Sequence, residues 1–167
     1  MDNLQKTNMD FELNENQQMI TQMVRDFAEK EIRPNMNQWD TDEYFPVDVM
    51  KKMGELGLLG IYVPEKYGGS GFGYYEYVTA LIELGKVCGG IGLSVAAHNS
   101  LCTGHIYYNG SEEQKMKYLP KLASGEFIGS WALTEPNTGS DAMRMETTAV
   151  KDGNEWVING AKTWITH

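Results

Sequence analysis

The 167 residues suffice for one domain, or one and a half small ones, and 41 % apolar content is enough for a core. Lys and Arg number 14 against 23 Asp and Glu, a formal net charge of -9, which argues against a general nucleic-acid binder and disfavours anionic membrane surfaces. Cys88 and Cys102 show neither metal spacing nor a disulfide framework, so a reducing compartment, the cytoplasm, is expected.

The first ten residues are polar and Arg-poor, unlike a secretory signal or a transit peptide. Residues 1–9 read as a flexible extension, with Met9 as an alternative start. No run approaches the ~18 apolar residues of a membrane span. Asn14 is placed to cap a helix, with Gln17 as its capping-box partner. Ile20, Met23, Val24, Phe27, Ala28 and Ile32 follow at helical spacing, and Pro34 stops the run. Pro46 suits the first turn of a second helix, with Val49, Met50, Met53 and Leu56 on one face and Gly57 and Gly60 at its end.

Residues 67–73, Tyr-Gly-Gly-Ser-Gly-Phe-Gly, read as a loop. A third helix carries Tyr77, Val78, Leu81 and Leu84. Residues 89–102 are small and apolar and read as a buried helix. Gly110 ends a helix, Ser111 and Gln114 box the start of the next, and Pro120 closes or kinks it.

Beyond Gly125 the period changes. Residues 127–133 read as a strand. Residues 147–151 and 155–159 flank a three-residue hairpin loop, Asp152-Gly153-Asn154. Asn159-Gly160 makes a second turn into a strand at 162–166. The expected fold class is α+β, helices first and antiparallel β after, with the boundary at 122–126. That last strand has no following turn, cap or charged guard, so the chain reads as a fragment whose sheet continues beyond His167.

The glycines of 68–73 fail the G-x-G-x-x-G spacing, and no P-loop motif is present, so a tight connection between helices is expected. His98 and His105 lie seven apart, with no Cys or carboxylate at ligand spacing. They read as packed or surface histidines, and no metal is expected. No G-x-S-x-G elbow occurs. Glu135 precedes a proline in a turn, where a carboxylate more naturally bonds local backbone than serves as a base.

The densest signal is Trp-Ala-Leu-Thr-Glu-Pro-Asn-Thr-Gly-Ser-Asp at 131–141, echoed by Trp164-Ile165-Thr166. Flat aromatics beside hydroxyls and free N–H groups suit a flat, hydrogen-bonding, phosphorylated ligand. Thr138-Gly139-Ser140 can cradle a phosphate without a lysine. On composition alone both tryptophans read as core, and their pairing with Thr134, Ser140 and Thr166 raises the ligand reading.

These motifs resemble the N-terminal part of the acyl-CoA dehydrogenases. The likeness runs from about Met9 to His167 and includes residues 63–71, 94–101, 110–120 and Asn159-Gly160-Ala161-Lys162. It implies three domains in a longer protein: helical, β-barrel and helical bundle. Here residues 10–124 would be the first and 125–167 the start of the second, which binds FAD. It implies that Trp131, Ala132, Leu133, Thr134, Glu135, Pro136, Asn137, Thr138, Gly139 and Ser140, with Trp164, Ile165 and Thr166, line FAD. Thr134 would bond the flavin ring, and Ser140 would also touch the acyl-CoA substrate. Where the family often has Gly, this chain has Asn137, which tolerates the same left-handed backbone.

The reaction implied is α,β-dehydrogenation of an acyl-CoA. A base removes the α proton, a hydride passes to the flavin, and an electron-transferring flavoprotein takes the electrons. The base would be a glutamate beyond residue 167, and the assembly a homotetramer. Residues 89–104 hold no Lys or Arg, which disfavours a dicarboxylate acyl chain, and Ser94-Val95 and residues 99–102 look short-chain or isovaleryl-like. The alternatives are a non-catalytic flavin- or CoA-binding or helical interaction module, and a related acyl-CoA flavin oxidase.

Overall fold

The computed structural model describes residues 12–167. The expected extension at 1–9 lies outside the described residues. Helix α1, Glu15–Phe27, starts on the Asn14–Gln17 capping box. Its path widens into a π turn at Ala28–Ile32 before Pro34 ends it. Short α2, Met36–Thr41, leads to α3, Val47–Glu55, which Pro46 opens as N-cap. Helix α4 spans Tyr74–Val87 and lies along α1. Ile20, Val24, Met50, Met53, Leu59 and Leu84 form the core between these helices.

Residues 89–102 do not form one buried helix. Helix α5, Gly89–Ala96, opens into a π-helical segment, Ala97–Thr103, and re-forms as α6, Gly104–Asn109. Ile91 and Val95 are buried, but Leu93 and Leu101 are exposed. The wider π turn brings the adjacent His98 and Asn99 wholly inside. Helix α7, Glu112–Ala123, begins on the expected Ser111–Gln114 box. It does not close at Pro120. Pro120 sits in the last turn, and the only backbone acceptor it strands is on exposed Met116, where water can reach.

Close packing pins α3 to the end of α7. A Cβ built on Gly54 would lie 2.3 Å from the Ser124 carbonyl oxygen, a backbone atom that cannot step aside. Gly54→Ala should therefore cost ~1–3 kcal/mol, read as a lower denaturant midpoint at constant slope.

Among the described residues the only sheet is one antiparallel hairpin, β1 Thr148–Asp152 and β2 Glu155–Asn159. Asp152 pairs with Glu155, so the loop is the two residues Gly153-Asn154, with Gly153 at φ 58°, rather than three. The fold class is α+β as expected, but two expected strands are absent. Residues 127–133 and 162–166 form no ladder, and the second segment is broken by the left-handed backbone of Trp164. The expected second turn at Asn159-Gly160 does not form: Gly160 lies close against Thr147, where a Cβ would sit 2.2 Å from the Thr147 hydroxyl. The chain then leaves β2, and Thr163 N–H bonds the Thr134 carbonyl at 2.9 Å. The two segments thus meet each other at single points.

Candidate functional site

A groove of about 740 Å³ lies where those segments meet. Residues 134–139 line one side, and Thr163 and Trp164 the other. The turn between Glu135 and Thr138 is closed by a reciprocal pair of backbone hydrogen bonds at 3.0 and 3.1 Å. The Thr138 hydroxyl donates to the Arg144 carbonyl at 2.9 Å. Thr138 is therefore fully engaged within the protein, and its hydroxyl and N–H are not the free donors the sequence suggested. Gly139 and Ser140 N–H find no protein acceptor among the described residues, and a Cβ on Gly139 would meet nothing within 4 Å. Backbone donors facing open space suit anionic oxygens.

Glu135 anchors the turn. It is 4 % exposed and accepts from Glu146 N–H at 2.5 Å, Thr147 N–H at 3.0 Å and Lys162 Nζ at 2.8 Å. The Lys162 ammonium foremost, then the Thr147 and Glu146 donors, pull its pKa down to about 2. A carboxylate so held is a poor proton acceptor, which bears out its structural reading. Lys162 also bonds the Leu133 carbonyl at 3.0 Å, so one side chain ties both walls together. The folded pKa of Glu135 lies below the ordinary 4.5, so its contribution is present above pH 4.5 and is lost as pH falls through about 2. Glu135→Leu should free the Glu146 and Thr147 amides, and hydrogen exchange should show both losing protection while α1 and α4 keep theirs.

The tryptophans are not core residues. Trp164 is 92 % exposed and sits at φ 59°, a left-handed backbone that a bulky side chain rarely adopts. Trp131 is 37 % exposed and stacks on His105, ring centroids 3.9 Å apart and 20° from parallel. Ala132, Leu133, Ser140, Ile165 and Thr166 flank the groove without lining it. Ser130 Oγ bonds the Thr166 carbonyl at 2.9 Å, holding Thr166 beside the first wall.

His105 stacks on Trp131 and His98 Nδ1 accepts from Gly129 N–H, and among the described residues no cluster of metal-ligating side chains occurs. Neither the stack of His105 on Trp131 nor the bridge from Lys162 to Glu135 was legible in the sequence. The first joins the helix Gly104–Asn109 to a segment that reads in sequence as a separate strand. Nothing local signals the second, since Lys162 and Glu135 are 27 residues apart. Cys88 and Cys102 are free thiols, and burial pushes the Cys102 thiol up.

A helical unit lies beside an open, aromatic and donor-lined groove and a β hairpin. Comparison with known proteins gives that architecture its family. Residues 14–126 match the acyl-CoA dehydrogenase N-terminal domain, and residues 130–167 match the acyl-CoA dehydrogenase middle domain. The chain belongs to the acyl-CoA dehydrogenase family.

It is 54 % identical over 95 % of its length to a probable acyl-CoA dehydrogenase, YngJ, of Bacillus subtilis, covering 42 % of that protein. It is 48 % identical, with the same coverages, to the short-chain-specific acyl-CoA dehydrogenase of Clostridium acetobutylicum. Isovaleryl-CoA dehydrogenases are also among its relatives. Its structure superposes with a TM-score of 0.87 on the acyl-CoA dehydrogenase of Bacillus anthracis complexed with FAD, at 38 % identity over 92 % of this chain and 27 % of that one. The chain thus spans about two fifths of the length of the curated relatives it matches. Among the described residues no helix is long and apolar enough to cross a membrane.

Proposed function

We propose that this chain supplies the first domain and the opening of the FAD-binding domain in a cytoplasmic, homotetrameric acyl-CoA dehydrogenase. The substrate is a short or branched saturated acyl-CoA, and the electron acceptor an electron-transferring flavoprotein. The observation that carries the reading is Trp164, its indole face open to solvent on a strained backbone, next to the unpaired Gly139 and Ser140 donors. A residue kept in a costly conformation with its apolar face bare marks a binding site.

The groove residues fit FAD. Trp164 offers a flat face to a tricyclic ring, Thr134 a hydroxyl at its edge, and Gly139 and Ser140 N–H groups to the pyrophosphate. FAD supplies a hydride acceptor when bound. The protein holds reactants in line, which is worth several kcal/mol. Glu135 is bonded away from proton transfer, and the base in this reading is the glutamate beyond residue 167 that the family resemblance implies. Residues 89–104 contribute to the acyl pocket and bring no cation to it.

The full-length protein should oxidise butyryl-CoA and isovaleryl-CoA with an artificial electron acceptor, and palmitoyl-CoA at least tenfold more slowly. Equal palmitoyl turnover would refute the chain-length assignment. Oxygen consumption without an acceptor would make the enzyme an oxidase, and flavin binding without turnover of any acyl-CoA would leave a non-catalytic module.

A further inference from the structure

His98 is wholly buried in the π-helical segment, yet every polar atom of its ring is used. Nε2 lies 3.1 Å from both the Leu59 and the Leu122 carbonyl oxygens. Carbonyls only accept, so Nε2 carries the proton and donates to both. Nδ1 is then the bare acceptor, and it takes the Gly129 N–H at 3.0 Å. The ring is thereby fixed as one neutral tautomer that faces the helical core with one nitrogen and residue 129 with the other.

Gly129 is a junction. Its carbonyl accepts from His167 Nδ1 at 2.9 Å, and its neighbour Ser130 donates to the Thr166 carbonyl. Two residues on, Trp131 rests on His105. A Cβ at 129 would strike Cys102 Sγ at 2.6 Å, so the backbone is pressed against the helix that carries His98. One bond from the helical core therefore sets the height of the segment bearing Trp131, and the cross-contacts pass that setting to the segment bearing Trp164 and Thr166.

We propose that His98 is a positioning residue for the flavin site: its Nδ1, through Gly129 N–H, fixes the register between the two walls that grip the cofactor. The inference rests on the FAD reading above. It assigns a role in cofactor geometry to a buried side chain that touches no cofactor. A purely structural role would use the two Nε2 bonds to hold the helices; the positioning role uses the Nδ1 bond.

Two isosteric variants of the full-length flavoprotein separate these roles. Asparagine mimics Nδ1 and gives up the Nε2 contacts; glutamine mimics Nε2 and gives up the Nδ1 acceptor. His98→Gln should keep its thermal midpoint closer to the parent, yet lose about tenfold in FAD affinity and change the visible circular dichroism of bound flavin. His98→Asn should melt lower but keep the flavin dichroism and the affinity. The reverse pattern, or unchanged flavin dichroism and affinity in His98→Gln, would overturn the inference while leaving the FAD reading intact. A parent protein that binds no flavin would overturn both.

Discussion

Trp164→Ala in the full-length protein should weaken FAD retention about thirtyfold. The indole is almost fully exposed, so a ligand lying on it gains contact that no protein group now supplies. Covering roughly 80–100 Å² of aromatic face is worth ~2 kcal/mol or slightly more, which is about thirtyfold in Kd. Relief of the left-handed backbone at φ 59° works against binding as well, because alanine there relaxes away from the posed geometry. Trp131→Ala should have a smaller effect, since His105 already covers one of its faces. Equilibrium dialysis of FAD against the two variants gives the comparison directly. Equal affinities for parent and Trp164→Ala would remove the indole from the site.

Acidification from pH 6.5 to pH 4 should cost the fold ~3 kcal/mol through His98 alone. Burial, chiefly, pushes its pKa down to about 4 from the ordinary 6.5, with His167 nearby pushing the same way. The unfolded chain takes up a proton near pH 6.5 while the folded chain refuses it until about pH 4. Stability is therefore complete above pH 6.5 and falls by ~1.4 kcal/mol per pH unit between the two values. Below pH 4 the loss levels off. Glu135 and Glu83, whose pKa values are lowered from 4.5, lose their contributions only below that. The window from 6.5 to 4.5 thus isolates the imidazole. Urea melts across it should show the slope in the parent and its disappearance in His98→Asn. A parent whose midpoint is flat across the window would contradict a neutral buried ring.

Local chemistry was legible wherever a few adjacent residues decide the outcome. Asn14 with Gln17, and Ser111 with Gln114, cap their helices because each box closes on itself within one turn. The hairpin was legible from Gly153, though its loop is one residue shorter, because cross-strand pairing reaches Asp152 and Glu155. What misled was apolar character without a partner. Residues 127–133 have a strand's composition, but a strand needs a ladder, and their hydrogen bonds here are single ones to Lys121, His98, Thr166, His167 and Lys162. Residues 89–102 have a buried helix's composition, but Leu93 lies on the open side of the helix Gly89–Ala96, and in the π turn that seats His98 and Asn99 it is Leu101 that faces outward. The groove was legible as a motif and not as a shape. Trp131 to Ser140 pointed to it, while the Lys162 bridge and the histidine props come from residues tens of positions away.

The most direct test is the flavin content of the full-length protein, purified from riboflavin-replete cells and scanned in the visible range. Stoichiometric FAD, bleached on adding butyryl-CoA and depleted by joint replacement of Trp131 and Trp164 with leucine, is the expected result. A colourless protein that stays colourless after refolding with FAD, or one whose flavin is indifferent to both replacements, would show that this groove binds something else.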